Sequence, residues 1–230
     1  MKLKLFSFAL IITAMGILAS CGGRGSSAQN EEPKDAEAVL EEMDETPQEP
    51  EFAFNPDSVA SEPIFDIVTN YGTIRVQLFE DTPKHRDNFV KLASKRFYDG
   101  ILFHRVINGF MIQAGDPTTK DPNADPSRFG YNDSGYKVPA EIIPAHKHIK
   151  GALCAAREGD RANPEKKSSG SQFYLVQNPE SCAQLDGGYT VYGKTISGLE
   201  VIDKIAGVKT GDRDRPESPV KILNINLVQE

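Results

Sequence analysis

The chain predicts a mainly β fold, an antiparallel barrel plugged by helices. Three observations carry this. Short runs of alternating, β-branched residues recur from residue 64 to residue 228, two isolated helical patterns interrupt them, and no strand–helix–strand rhythm marks a parallel sheet.

The elements follow in order. Residues 64–69 and 73–79 alternate and are joined through Asn70-Tyr71-Gly72, which reads as a hairpin. Asp81-Thr82-Pro83 supplies an N-cap and a proline in the first turn. Phe89, Val90, Leu92 and Ala93 then recur at helical spacing, with an end near Gly100. Further strands are expected at 102–107, 111–114, 152–156, 173–176, 190–193 and 220–228, with a second helix at 199–205. A domain over 63–230 suits one such barrel.

What precedes it is different. Lys2 and Lys4 lead into an apolar run over 5–18, about 21 Å as a helix against a hydrocarbon core of roughly 30 Å. A basic start, a short apolar run and small residues before a cut describe an export signal over 1–20. Leu18-Ala19-Ser20-Cys21 resembles the bacterial lipoprotein signal, which implies lipidation of Cys21 and a membrane anchor in a bacterial cell envelope. The alternative is an ordinary signal with an incidental cysteine. Residues 22–62 hold twelve acids against Arg24 and Lys34, a charge of −10, whereas the net charge of the whole chain is −7. With +2 in the signal, 63–230 comes to +1. Low hydrophobicity and like charge predict a disordered tether over 21–62, with a short helix near 36–43 as a secondary option. Cys154 and Cys182 are either a disulfide pair or separate thiols.

Chemistry concentrates in three blocks. Phe103-His104-Arg105-Val106-Ile107-Asn108-Gly109-Phe110-Met111-Ile112-Gln113-Ala114-Gly115-Asp116 places Arg105 and Gln113 on strands flanking a turn, so a guanidinium and an amide face one groove beside Phe110 and Met111. Gly170-Ser171-Gln172-Phe173-Tyr174-Leu175 adds a second amide next to aromatics. Leu185-Asp186-Gly187-Gly188-Tyr189-Thr190-Val191-Tyr192-Gly193-Lys194 reads as a turn and then a strand.

In this order the blocks resemble the signature of cyclophilin-type peptidyl-prolyl cis/trans isomerases, over essentially all of 63–230. The resemblance implies an eight-stranded antiparallel closed barrel capped by two α-helices. It also implies an enzyme that speeds X–Pro rotation, with no cofactor, metal or covalent intermediate. That rotation crosses a barrier near 20 kcal/mol, because resonance stiffens the C–N bond. Arg105 is the implied catalytic residue, hydrogen-bonding the imide nitrogen as it becomes pyramidal. Phe110, Met111, Tyr174 and Leu185 would wall the proline pocket, and Gln113 would hold a substrate carbonyl. Arg157 would pair with the peptide backbone, at a position where the family often uses its main chain. Gln172 would line the groove, Tyr189 would form its rim, and Ala156 completes the substrate-binding set.

Three departures stand out. Tyr189 replaces the histidine of many eukaryotic members, although bacterial relatives commonly carry tyrosine. Gln184 replaces an aromatic that contacts cyclosporin, so weak cyclosporin binding is expected. The polar segment 157–170 is longer than in compact members, and is either a substrate contact or a solvated loop.

Other readings are weaker. His146 and His148 share a face only if 146–148 is a strand, and two histidines are too few for a metal site. Ser171 lacks a nucleophile elbow. Scattered basic residues in a near-neutral domain give no nucleic-acid stripe. A monomer acting on proline-containing polypeptides is expected. A non-catalytic proline-peptide binder on the same barrel and a purely structural envelope lipoprotein are the competing classes.

Overall fold

The computed structural model describes residues 52–229. The predicted signal, Cys21 and most of the predicted tether lie outside the described residues.

Eight strands form one antiparallel sheet: β1 (Ile64–Thr69), β2 (Gly72–Leu78), β3 (Arg105–Ile107), β4 (Met111–Ala114), β6 (Ala152–Ala155), β8 (Phe173–Val176), β9 (Val191–Ser197) and β10 (Ile222–Leu227). Their order is β10-β1-β2-β9-β6-β8-β4-β3. The two edges meet without a continuous ladder. Leu102 bridges Lys221, and Phe103 N–H donates to Val220 O at 2.8 Å while Ile222 N–H donates to Ile101 O at 2.8 Å. The expected closed barrel is therefore closed only approximately. A separate ribbon pairs β5 (Lys137–Val138) with β7 (Ser168–Ser169), two residues each and without a strand signal in the sequence.

The hairpin turns where Asn70-Tyr71-Gly72 predicts it, with Thr69 paired to Gly72. Alternation then sorts side chains. Phe65, Ile67, Ile74, Val76 and Leu78 point into the barrel and are fully buried. Helices α1 (Pro83–Ser94) and α3 (Leu199–Ala206) add Phe89, Val90, Val201, Ile202 and Ile205 to the same core. Phe89 is an aromatic hub, its ring 5.5 Å from Phe65, 5.3 Å from Tyr98 and 6.0 Å from Phe173. A third helix, α2 (Pro179–Cys182), is a single turn.

Two expectations about α1 change: the helix ends at Ser94, short of Gly100, and its start is capped from elsewhere. Thr82 occupies the N-cap, but its side chain makes no capping bond. Glu141 does this from 56 residues away, accepting from Lys84 N–H at 3.0 Å and His85 N–H at 2.9 Å. The same carboxylate lies 2.6 Å from His85 Nδ1, and His85 Nε2 lies 2.9 Å from Ser168 Oγ. Ser168 is only 1% exposed, so this serine–histidine–carboxylate string straps the β7 ribbon to α1 and offers no surface to a substrate.

The domain also begins earlier than Pro63. Residues 52–62 pack on the barrel, with the Phe54 ring 5.8 Å from Phe65, Ala53 N–H donating to Ser94 O at 2.8 Å and Arg86 bonding Ser61 O at 3.2 Å. The apolar Phe54 and Val59 interrupt the acidic composition and pack, partly buried, against the core, which offsets the cost of ordering the segment.

Cys154 and Cys182 are separate, buried free thiols. Burial pushes Cys182 up to about 11 and Cys154 well above its ordinary value. His146 and His148 lie outside any strand and do not share a face. His146 pairs with Asp81 at 2.8 Å, whereas His148 turns inward to Asp186 and Tyr174.

Candidate active site

Strands β6 and β8 are buried on both faces, unlike β1, whose residues alternate between buried and half-buried. Leu153, Ala155, Phe173 and Leu175 face the barrel core. Ala152, Cys154, Tyr174 and Val176 face outward and form a second cluster with Met111, Cys182 and Val191. That outer cluster is the floor of a groove.

Register places the polar groups beside it. Arg105 pairs with Gln113, Gln113 with Tyr174, and Tyr174 with Cys154, so one transverse row crosses four strands on the outer face. The turn joining β3 to β4 runs through Asn108, Gly109 and Phe110. Gly109 takes a φ of +77°, and its N–H is held by Gln177 Oε1 at 2.9 Å. Phe110 is thereby turned over the outer cluster.

These residues line a cavity of about 360 Å³. Arg105, Phe110, Met111, Gln113, Ala156, Arg157, Tyr174, Leu185 and Tyr189 all reach it, so nine of the ten side chains singled out in the sequence converge. Arg105 is 43% exposed, with Nε 3.5 Å from Asp214 Oδ2.

Gln172 is the exception. It is 7% exposed and sits behind Gln113, accepting from Gln113 Nε2 at 2.9 Å and donating to Asn132 O at 2.6 Å and Gly130 O at 3.1 Å. Its β8 approach strand passes under Gly115, which explains the change: Gly115 has a φ of +101°, and a Cβ there would lie 2.6 Å from Gln172 Cα. The next residue, Asp116, is fully buried and accepts from Gly130 N–H at 2.6 Å and Thr118 N–H at 2.9 Å. Asp116 thus fixes Gly130, Gly130 and Asn132 fix Gln172, and Gln172 uses one of the two amide donors of Gln113.

Arg157 differs in detail as well. Its guanidinium donates to Gly188 O at 2.8 Å and Glu158 O at 2.8 Å, pairs with Asp160 at 2.6 Å and lies 4.2 Å from the centre of the Tyr189 ring. The side chain is occupied in holding Tyr189. The segment 157–170 is a built turn, with Asn163 bonded to Lys167 N–H at 3.0 Å and Lys167 O at 2.7 Å. Gln184 is exposed, bonds Ser181 O at 3.2 Å and does not line the cavity.

The wall also contains residues that sequence reasoning missed: His104, Phe129, Gly130, Tyr131, Arg213, Asp214 and Arg215. Apart from His104 they come from segments without strand or long-helix patterning, about 85 residues apart. Two arginines clip these segments together, Arg213 donating to Ser127 O and Arg215 to Phe129 O at 3.4 Å. An Arg-Asp-Arg run before Pro216 is the one sequence signal they carry. His104 is buried beneath Gly130, and neither ring nitrogen has a partner among the described residues. Burial, opposed by Asp116 and reinforced by Arg215 and Arg105, lowers it to about 4.

A barrel with an apolar groove on its outer wall, edged by a guanidinium and a carboxamide, offers both apolar walls and backbone-directed donors in one concave site. The chain belongs to the cyclophilin-type peptidyl-prolyl cis-trans isomerase family, whose model matches residues 64–227. It is 37% identical over 174 residues to peptidyl-prolyl cis-trans isomerase-like 1 of Aspergillus fumigatus, covering 75% of this chain and 98% of that protein. It is 35% identical over 161 residues to the isomerase CYP18-1 of Arabidopsis thaliana, covering 69% and 92%. Peptidyl-prolyl cis-trans isomerase-like 2 of Rhizopus delemar is a longer protein, of which this chain spans 28% at 38% identity. A crystal structure of a cyclophilin-type isomerase from Cryptosporidium parvum superimposes with a TM-score of 0.62 at 29% identity, over 74% of this chain and 99% of that one. The same isomerase in the presence of the dipeptide Ala-Pro gives 0.61. The chain is a peptidyl-prolyl cis-trans isomerase.

Proposed function

We propose that Arg105 is the catalytic residue and that the cavity beside it seats the proline ring. The observation that carries this is the pairing of Arg105 with Gln113 at the lip of an apolar cavity walled by Phe110, Met111, Tyr174 and Leu185. As the X–Pro bond rotates, the imide nitrogen loses conjugation and gains a lone pair. A guanidinium donor aimed there binds the twisted state more strongly than either planar isomer, which is what lowers the barrier. The free amide donor of Gln113 holds a substrate carbonyl, so the chain on one side of the bond stays fixed while the other side turns. Nothing covalent changes.

The polypeptides acted on are exported ones. The apolar run ending in Leu18-Ala19-Ser20-Cys21 supports a lipid anchor on Cys21 in a bacterial envelope, and the acidic segment that follows supports a spacer. The domain works as a monomer. Gln184, exposed and outside the cavity, supports weak cyclosporin binding; submicromolar inhibition would contradict it.

Arg105→Ala on a short Xaa-Pro peptide tests the assignment. Isomerisation is expected to fall about 10²–10³-fold while peptide binding and folding persist. Equal rates for the two proteins, or none for either, would favour the non-catalytic binder. Labelling with a fatty-acid probe tests the anchor, with label lost and the protein released to the soluble fraction in Cys21→Ala.

A further inference from the structure

The cavity carries a charge that the domain as a whole does not. Residues 63–230 sum to +1, yet four guanidinium groups, those of Arg105, Arg157, Arg213 and Arg215, face the cavity against one carboxylate, Asp214. Two of the four are matched: Arg157 by Asp160 at 2.6 Å and Arg105 by Asp214 at 3.5 Å. Arg213 and Arg215 bond only main-chain carbonyls, and among the described residues neither has a carboxylate within ion-pair distance. A carbonyl satisfies one N–H but brings no charge, and Asp125, on which the Arg215 charge acts, stands beyond ion-pair distance. Each guanidinium keeps further donors in a planar fork suited to a carboxylate.

The pair is held in place. Gly211 N–H donates to Arg215 O at 2.8 Å, Glu217 N–H donates to Lys209 O at 2.9 Å, and Thr210 bridges Pro216, so 210–216 is a closed loop. Arg213 and Asp214 both adopt left-handed backbone, with φ of +61° and +59°. That conformation is costly for residues other than glycine, and it sets Asp214 against Arg105 with an arginine on either side. The Arg215 guanidinium also stacks 5.6 Å above Phe129. Tyr131, another wall residue, is 77% exposed and offers an aromatic face to the stem of a long side chain.

We propose that Arg213 and Arg215 form a specificity site for substrates with an acidic side chain close to the proline, so that this isomerase selects acidic proline-containing segments. The proposal rests on the Arg105-centred reading of the same groove. A carboxylate arriving there gains two unmatched guanidinium groups, whereas a lysine at the same place meets like charge from both.

The test uses the full chain and two peptide series, with Glu, Gln or Lys placed immediately before or immediately after the proline. Isomerisation is followed by NMR exchange for kcat/KM, and binding by titration for Kd. At about 0.02 M salt, Glu is expected to exceed Gln by about three- to tenfold in at least one series, with Lys below Gln. The ratio is expected to shrink toward one at about 0.5 M salt, where screening is short-ranged. In the double variant Arg213→Glu, Arg215→Glu the order of Glu and Lys inverts. The readout is a ratio on one protein, so a variant of lower activity still reports it, and if that variant does not fold the salt dependence of the wild type decides. Equal values for the three peptides in both series at low salt would overturn the proposal, as would a preference that the double variant leaves unaltered. Absence of turnover even for Gln peptides would instead count against the assignment of Arg105, and the Kd ratio would still judge the rim.

Discussion

The hydroxyl of Tyr174 lies 2.8 Å from Nε2 of His148, whose Nδ1 lies 2.7 Å from Asp186 Oδ1. Nδ1–H donates to the carboxylate, which leaves Nε2 to accept from the tyrosine. A ring that faces the groove is therefore anchored from behind by a buried polar string, where a phenylalanine would be held by packing alone.

Tyr174→Phe tests that anchor. It keeps the ring but strands the buried Nε2 of His148 without a donor, a cost of about 1–2 kcal/mol. Thermal unfolding is expected to show a Tm lower by about 3–6 °C. An unchanged Tm would mean that water replaces the hydroxyl.

Three histidines predict the response to acid. Burial lowers His104 to about 4, and lowers His85 and His148 against the opposing pull of Glu141 and Asp186. Each folded-state value lies below the unfolded value of 6.5, so the unfolded chain takes up protons first as the pH falls. Their contribution is complete above about pH 6.5 and declines below it; for His104 the decline runs to about pH 4 and amounts to about 3 kcal/mol. Denaturant unfolding across pH 7.5 to 4 is expected to show falling stability, with a shallower slope in His104→Leu. A flat profile would contradict this.

Gln172→Leu is expected to reduce kcat/KM about tenfold although Gln172 does not line the cavity. It removes the acceptor that orients Gln113 and leaves the carbonyls of Gly130 and Asn132 without a donor. The split matters: a rise in KM with kcat kept indicates that Gln113 positions substrate, whereas a change in stability alone would reduce Gln172 to a structural part.

Arg157→Ala removes the cation over the Tyr189 ring and the tie to Gly188 O. An increase in KM of about three- to tenfold is expected, in line with about 0.5–1 kcal/mol for the stacking and a further share for the hydrogen bond. The mobility of Tyr189, read from its ring resonances, is expected to rise in parallel.

Much of the site was legible in the residues. Arg105 and Gln113 lie on strands joined by a tight turn, so alternation alone put them side by side, and Phe110 and Met111 came with the turn. The resemblance puts Gln172 on the groove, but a motif position does not report what lies over that side chain. Gly130 and Asn132 cover it from a segment forty residues away. The same limit hid Glu141 as the cap of α1, since a local Thr-Pro start satisfies every short-range rule for a helix N-terminus. The packing of 52–62 was hidden in turn by the charge of its neighbours, which outweighed Phe52 and Phe54 in a composition average.

By itself the sequence determined the strand periods of the barrel, the starts of α1 and α3, the hairpin turns and the guanidinium–amide pair, because each depends on residues within one or two turns of backbone. Only the tertiary structure decided which apolar residues fill the barrel and which pave the groove. Met111 and Ile112 are equally apolar neighbours, yet one belongs to each cluster. The closure of the sheet through Leu102 and Lys221, and the meeting of Phe129 with Arg215, were decided there too. Contacts across eighty or more residues depend on how the whole sheet curls, and no local preference encodes that curl.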